Sequence, residues 1–262
     1  MPILRQSFCH NLFLDKDIPL PYLIKRAAQI GYAAVELWGR ESHPLEQISA
    51  LAREHGLRVA GMVGHGTLSN GLNKRENHAR IFDELCASIE VAEKHDIAGL
   101  ICFSGNRYED ASDEACIDIC AEGLSRVKSV AEKANVNLNL ELLNSKVDHK
   151  GYQCDRSAWA FEVVRRVGSP NVKVLFDIYH MQIMEGDLIR TIRDHIKLIG
   201  HFHTAGNPGR SDFDDTQELN YAGICKAIVD AGYEYYVGHE FWPKGDKLAA
   251  LERAYRVCTA AL

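Results

Sequence analysis

The sequence predicts an α/β protein folded as a single TIM-type (β/α)8 barrel over residues 1–262. Two observations point there: short apolar runs alternate with amphipathic helical stretches eight times, and those eight units use up nearly all of the 262 residues. A third is that connections such as ESHP, GNRYEDAS and HKGYQCDR break the pattern without resembling a linker, so no second domain is evident.

LRQSFC reads as the first strand, and PLPYLIKRAAQIG places Leu20, Leu23, Ile24 and Ala27 at helical spacing before Gly31. AAVEL is the second strand, PLEQISALAREHG a helix with Leu45, Ile48 and Leu51 on one side, and LRVAGMV the third strand. The polar GHGTLSNGLNKRE leads to the helical ARIFDELCASIEVAEKHD and then to a fourth strand in AGLICFSG. SDEACIDICAEGLSRVKSVAEKA is a long helix, and VNLNLELL is a fifth strand ending around Glu141. Helix DRSAWAFEVVRRVGSP feeds strand VKVLFDI, and helix GDLIRTIRDH feeds strand IKLIGHFH. NYAGICKAIVDAGYEYYVGHE supplies the next helix and the eighth strand, before DKLAALERAYRV closes the chain as a helix.

Composition excludes several roles. Lys and Arg number 30 against 36 Asp and Glu, a formal charge of -6, which disfavours a general polyanion-binding surface and hence a nucleic-acid partner. The N-terminal MPILRQSFCHNLFLDKD interrupts its apolar run at Gln6, His10 and Asn11, unlike a secretory signal. No run approaches the ~18 apolar residues of a membrane span. The 8 cysteines form no CxxC pair and no compact secreted framework, so a reducing cytoplasmic compartment is expected.

Chemistry concentrates at the ends of the later strands. Glu141 follows VNLNL, Asp177 follows VKVLF, His203 lies in IKLIGHFH and Glu240 follows YYVGH. Their separations of 36, 26 and 37 residues match one contribution per strand-helix unit, and a closed barrel brings such positions together. Three carboxylates and one imidazole suit a divalent cation such as Mg2+ or Mn2+, with water or substrate oxygens completing the shell.

With LELLN at 140–144, FDIYHMQIMEGD, HFHTAGNPGR and the GHE ending at Glu240, the chain resembles the xylose-isomerase-like TIM barrels over almost its whole length. Within them it is most similar to the hydroxypyruvate isomerase branch related to ketose 3-epimerases. The resemblance implies that Glu141, Asp177, His203 and Glu240 hold the metal, that Glu141 and Glu240 are the acid/base pair, and that His180 and Arg210 contact substrate. It implies a small hydroxycarbonyl or sugar substrate, with hydroxypyruvate and tartronate semialdehyde interconverted through an enediolate. His180 would donate to the substrate carbonyl, and Arg210 would hold a carboxylate.

A neutral ketose would need a more polyhydroxyl-adapted pocket, which makes 3-epimerisation the runner-up, and the HTAGNPGRSDF stretch departs from a simple epimerase pattern. A repair endonuclease would want more ligands and a basic groove. A non-catalytic metabolite-binding barrel and a homo-oligomeric state both stay open. Glu36, Trp38 and His65 also lie near early strand ends, where strand packing or loop hydrogen bonding accounts for each without chemistry. Asn144 reads as support for the Glu141 loop, and His201 has no claim equal to that of His203.

Overall fold

The computed structural model describes residues 4–39, 44–109 and 111–262. Eight strands, β1 Arg5–Phe8, β2 Ala34–Glu36, β3 Arg58–Val63, β4 Ile97–Cys102, β5 Asn137–Glu141, β6 Val172–Asp177, β7 Ile199–Thr204 and β8 Tyr236–His239, form one sheet. Every ladder is parallel, and the order β1-β8-β7-β6-β5-β4-β3-β2 runs almost fully around a cylinder. Between β1 and β2 the Ala33 N–H donates to Gln6 O at 2.9 Å, and Cys9 bridges Glu36, so the barrel is nearly closed.

Among the described residues ten α-helices surround it: α1 His10–Phe13, α2 Leu20–Ile30, α3 Leu45–Glu54, α4 His78–His95, α5 Asp113–Ala134, α6 Ser157–Val167, α7 Ile178–Met184, α8 Leu188–His195, α9 Tyr221–Asp230 and α10 Lys247–Thr259. The helical stripes turn inward as their spacing requires: α2 buries Leu23, Ile24 and Ala27, and α3 buries Leu45 and Ile48. Each of these leucines and isoleucines removed from water contributes ~1.5–3 kcal/mol. Polar caps start several helices. Ser112 Oγ accepts from Ala115 N at 3.2 Å, Asn220 Oδ1 from Gly223 N at 3.1 Å and Asp246 Oδ1 from Ala249 N at 3.0 Å. The strands are covered by helices outside and by one another inside, which is why β5 and β7 are buried at every position.

Three details differ from the sequence reading. IKLIGHFH enters its strand only at Ile199, because Ile196–Leu198 forms a 3-10 turn. The FDIYHMQIMEGD stretch contains a separate helix, α7, whose N-cap is Asp177 itself. The first strand is followed by the single turn α1, too short to leave a periodic signal. Met1–Ile3, residues 41–43 of the ESHP connection and Asp110 of GNRYEDAS lie outside the described residues. Among the described residues no helix is long and apolar enough to cross a membrane, and all eight cysteines are free thiols.

Candidate metal centre

Three successive parallel strands end on, or one residue past, a functional group, and the next residue beyond β8 supplies the fourth. Glu141 and Asp177 close β5 and β6, His203 sits one residue before the end of β7, and Glu240 follows β8. Register makes Asp177 the direct neighbour of His203. Each of the four offers a ligand atom, and these atoms all lie within 4.8 Å of one another. All four side chains are buried, so the charges meet at the carboxyl end of the barrel away from bulk water.

The electrostatics are those of a cation site. His203 Nδ1 is buried without a hydrogen-bond partner, although Glu141 Oε1 and Glu240 Oε2 approach to 3.3 and 3.4 Å. Burial alone would lower the His203 pKa, but Glu240, Glu141 and Glu36 outweigh it and raise it well above the ordinary histidine value. Burial pushes Asp177 up to about 7 in spite of Arg210 and His203. Glu240 goes the other way: against the cost of burial, Arg210 and then His203 hold its carboxyl well below the usual range. An orphaned imidazole nitrogen facing two carboxylates, beside a carboxyl whose burial its neighbours do not fully offset, fits a divalent ion bound through three oxygens and one nitrogen.

Behind this cluster stands Glu36, at the end of β2. Its Oε2 is 3.0 Å from His203 Nε2 and 3.1 Å from His201 Nε2, and its Oε1 accepts from Ser7 Oγ at 2.5 Å. Burial would raise the Glu36 pKa, but the two imidazoles reverse this and hold it well below the usual carboxylate range. A carboxylate on the far nitrogen of a ligating histidine fixes the ring and raises its basicity. The room for it is made by Gly238, where a Cβ would collide with Glu36 Oε1. Cys9, Glu36 and His203 also approach closely enough to be a ligand set. There, however, Glu36 is already committed to three partners, and burial followed by Glu36 pushes the Cys9 thiol up, so it keeps its proton.

His180 lies in the first turn of α7, whose start is held by Asp177 Oδ1 accepting from His180 N at 2.9 Å. Its ring is fully buried, with Nε2 unpartnered and 3.7 Å from Asp177 Oδ2. Burial and then Arg210 keep its pKa well below the ordinary value. Arg210 occupies the loop after β7 with φ of 50°, a left-handed conformation that non-glycine residues rarely hold without a local constraint. That loop is pinned by reciprocal hydrogen bonds between Gly206 and Ser211 and by Trp242 N donating to Arg210 O at 2.9 Å. Arg210 Nη2 is 2.5 Å from Glu240 Oε2, and its guanidinium lies over the Tyr179 ring at 5.9 Å.

A cavity of about 250 Å³ opens above Glu141 and Glu240. Arg210 and His149 supply its other ionisable groups, while Leu12, Val63, Leu68, Ile101 and Phe103 form an apolar side and Trp38 and Trp242 flank it. Trp38 Nε1 donates to Glu240 Oε1 at 2.8 Å. The sequence reading thus underrated Trp38 and Glu36, whose partners come from distant strands. His65 does not line the cavity; its Nε2 accepts from Phe103 N at 2.9 Å, a packing role. His149 carried no sequence signal beyond its place in HKGYQCDR.

A family profile described as xylose isomerase-like TIM barrel matches residues 24–259. The hydroxypyruvate isomerase of Escherichia coli strain K12 is 29% identical over 238 residues, covering 87% of this chain and 89% of that one. The 2-oxo-tetronate isomerase of Pectobacterium atrosepticum is 26% identical over 254 residues, 91% and 93% of the two chains. Among solved structures, an L-ribulose 3-epimerase superposes with a TM-score of 0.81 over 99% of this chain and 96% of its own, at 18% identity, a likeness of fold alone. With isomerases aligned along nearly its full length, the chain belongs to the xylose isomerase-like TIM-barrel family.

Proposed function

We propose that this protein is a metal-dependent isomerase of small hydroxycarbonyl acids, interconverting hydroxypyruvate and tartronate semialdehyde. The observation that carries this reading is the buried set Glu141, Asp177, His203 and Glu240, with its orphaned imidazole nitrogen, beneath a cavity that also contains an arginine. These four residues would hold the ion, and the hard oxygen-rich donor set favours Mg2+ or Mn2+. When bound, such an ion stabilises negative charge on adjacent substrate oxygens.

The reaction moves hydrogen without net redox change. A proton leaves C3 of hydroxypyruvate, a proton is delivered at C2, and one proton passes from O3 to O2, which gives the aldehyde and the secondary alcohol. Glu141 and Glu240 are assigned as the pair that takes and returns the carbon-bound protons. Glu240 is held by Trp38 and Arg210 on its two oxygens, so its position is fixed from both sides. Arg210 spends one N–H on Glu240, and its remaining donors suit a substrate carboxylate. His180 Nε2 is free to meet the oxygen at C2. The apolar side of the cavity excludes water from the enediolate, which strengthens these polar contacts. The free thiols fit a reducing cytoplasm.

The test is product profiling by NMR on protein reconstituted with Mg2+ or Mn2+, offered hydroxypyruvate, tartronate semialdehyde and ketoses in D2O. A carbonyl shift with deuterium gained on carbon supports the reading. Inversion at C3 of a ketose would assign a 3-epimerase instead, and no turnover with verified metal occupancy would leave a binding protein.

A further inference from the structure

We propose that Asn144 is a positioning residue that sets the tautomer of His180, so that an Nε2–H donor rather than a bare lone pair faces the reacting substrate. The proposal rests on the isomerase reading for its catalytic consequence, but the hydrogen-bond geometry that motivates it stands without that reading.

Asn144 is fully buried three residues beyond Glu141. Its side-chain amide can sit only one way round. Oδ1 lies 2.9 Å from both Val147 N and Asp148 N; both are backbone donors, so the atom they meet is the oxygen. The nitrogen therefore faces the other side, where Nδ2 donates to Asp148 Oδ2 at 2.6 Å and meets His180 Nδ1 at 2.5 Å. An amide nitrogen donates and does not accept, so His180 Nδ1 must present its lone pair. A protonated ring would set two donors against each other. In the neutral ring the proton is then on Nε2.

That nitrogen is the one on the side of Asp177 and the clustered carboxylates. Nε2 is buried, has no hydrogen-bond partner among the described residues, and lies 3.7 Å from Asp177 Oδ2. With the proton there, the ring can donate to a substrate carbonyl as negative charge grows on its oxygen. With the proton on Nδ1, a lone pair would face both Asp177 and the developing anion. The orienting device is itself braced, because Asp148 Oδ2 also accepts from Tyr179 OH at 3.0 Å. The loop after β5 and helix α7 are thus stitched at two adjacent residues, Tyr179 and His180.

An isosteric exchange tests this. Asn144→Asp combined with Asp148→Asn preserves shape, leaves an oxygen for Val147 N and Asp148 N, and keeps a reversed hydrogen bond between positions 144 and 148. It replaces the donor facing His180 Nδ1 with an acceptor. Long-range 1H–15N NMR on histidine-labelled, Mg2+-loaded protein at alkaline pH, where the ring is neutral, reads the tautomer directly. The wild type and Asp148→Asn alone should show Nε2–H, and the exchanged pair Nδ1–H. In the exchanged pair kcat should fall about 100-fold or more with KM little changed, as expected for a wrongly protonated but correctly placed imidazole.

A wild-type Nδ1–H signal overturns the proposal whatever the enzyme turns over. So does an exchanged pair that adopts Nδ1–H with kcat intact. Should the pair fail to fold, Asn144→Ala removes the donor: loss of the pure Nε2–H signal supports the proposal, and its full retention overturns it. A wild-type Nε2–H signal with no turnover of any hydroxycarbonyl overturns the isomerase reading instead.

Discussion

The two halves of the barrel face the same cavity with opposite chemistry. At or beside the carboxyl ends of β5 to β8 stand Glu141, Asp177, His203 and Glu240, of which Glu141 and Glu240 reach the cavity, and the segments after them add Arg210 to its wall and His180 beside Asp177. The half built from β1 to β4 contributes Leu12, Val63, Leu68, Ile101 and Phe103 to the cavity, with the neutral His65 packed behind Phe103. Glu36 is the exception, an anion from the early half that reaches His203 on the late half. The difference teaches how a small site concentrates charge: one half supplies the groups, and the other keeps water from weakening them.

The largest expected effect breaks the late half. Glu141→Gln or Glu240→Gln should lower kcat about 10²- to 10⁴-fold in the metal-loaded protein, measured by product formation with circular dichroism as the folding control. Wild-type turnover in either folded variant would remove that residue from the acid/base pair.

The early half should respond to pH through stability. Burial lowers the His65 pKa from 6.5 to about 4, so the folded state resists a proton that the unfolded chain accepts. The contribution is fully present above 6.5 and is lost as pH falls from there to about 4, amounting to ~3 kcal/mol at the bottom of that window. Urea denaturation of wild type and His65→Gln across the window should show a shallower loss in the variant. Parallel curves would mean that His65 does not carry this term.

Cutting the ionic contact from Glu36 to His203 should have a narrower result. Glu36→Gln removes the charge that orients His203, and metal affinity should weaken about 10- to 100-fold with the fold retained; calorimetric titration with Mn2+ checks it. Smaller still is Trp38→Phe, which deletes one hydrogen bond to Glu240. About 0.5–1.5 kcal/mol is expected, seen as at most about a tenfold fall in kcat/KM.

The same division governs what could be read from the sequence. The strands were legible because a strand buried on both faces is a short, mostly apolar run, as VKVLF and the IGHF of β7 show. The four clustered residues were legible because each directly follows or ends such a run. Glu36 was not: β2 is only three residues long, and the groups that give the carboxylate its place, Ser7, His201 and His203, are 29, 165 and 167 residues away in sequence. Asn144 was legible as loop support but not as a partner of His180, since that contact requires the loop after β5 to fold onto α7. The cavity's apolar side was equally hidden, because it is assembled from single residues of several segments.

Gly238 has a consequence beyond the space it leaves. It is paired with His203 on one side and with Ser7 on the other, two of the residues that hold Glu36. Sliding β8 by one position would bring the Cβ of Val237 or His239 to the spot now occupied by the Glu36 carboxylate. The missing side chain therefore acts as a registration mark for β8: the alignment that leaves room for the Glu36 carboxylate is the one that delivers Glu240 to its three companions.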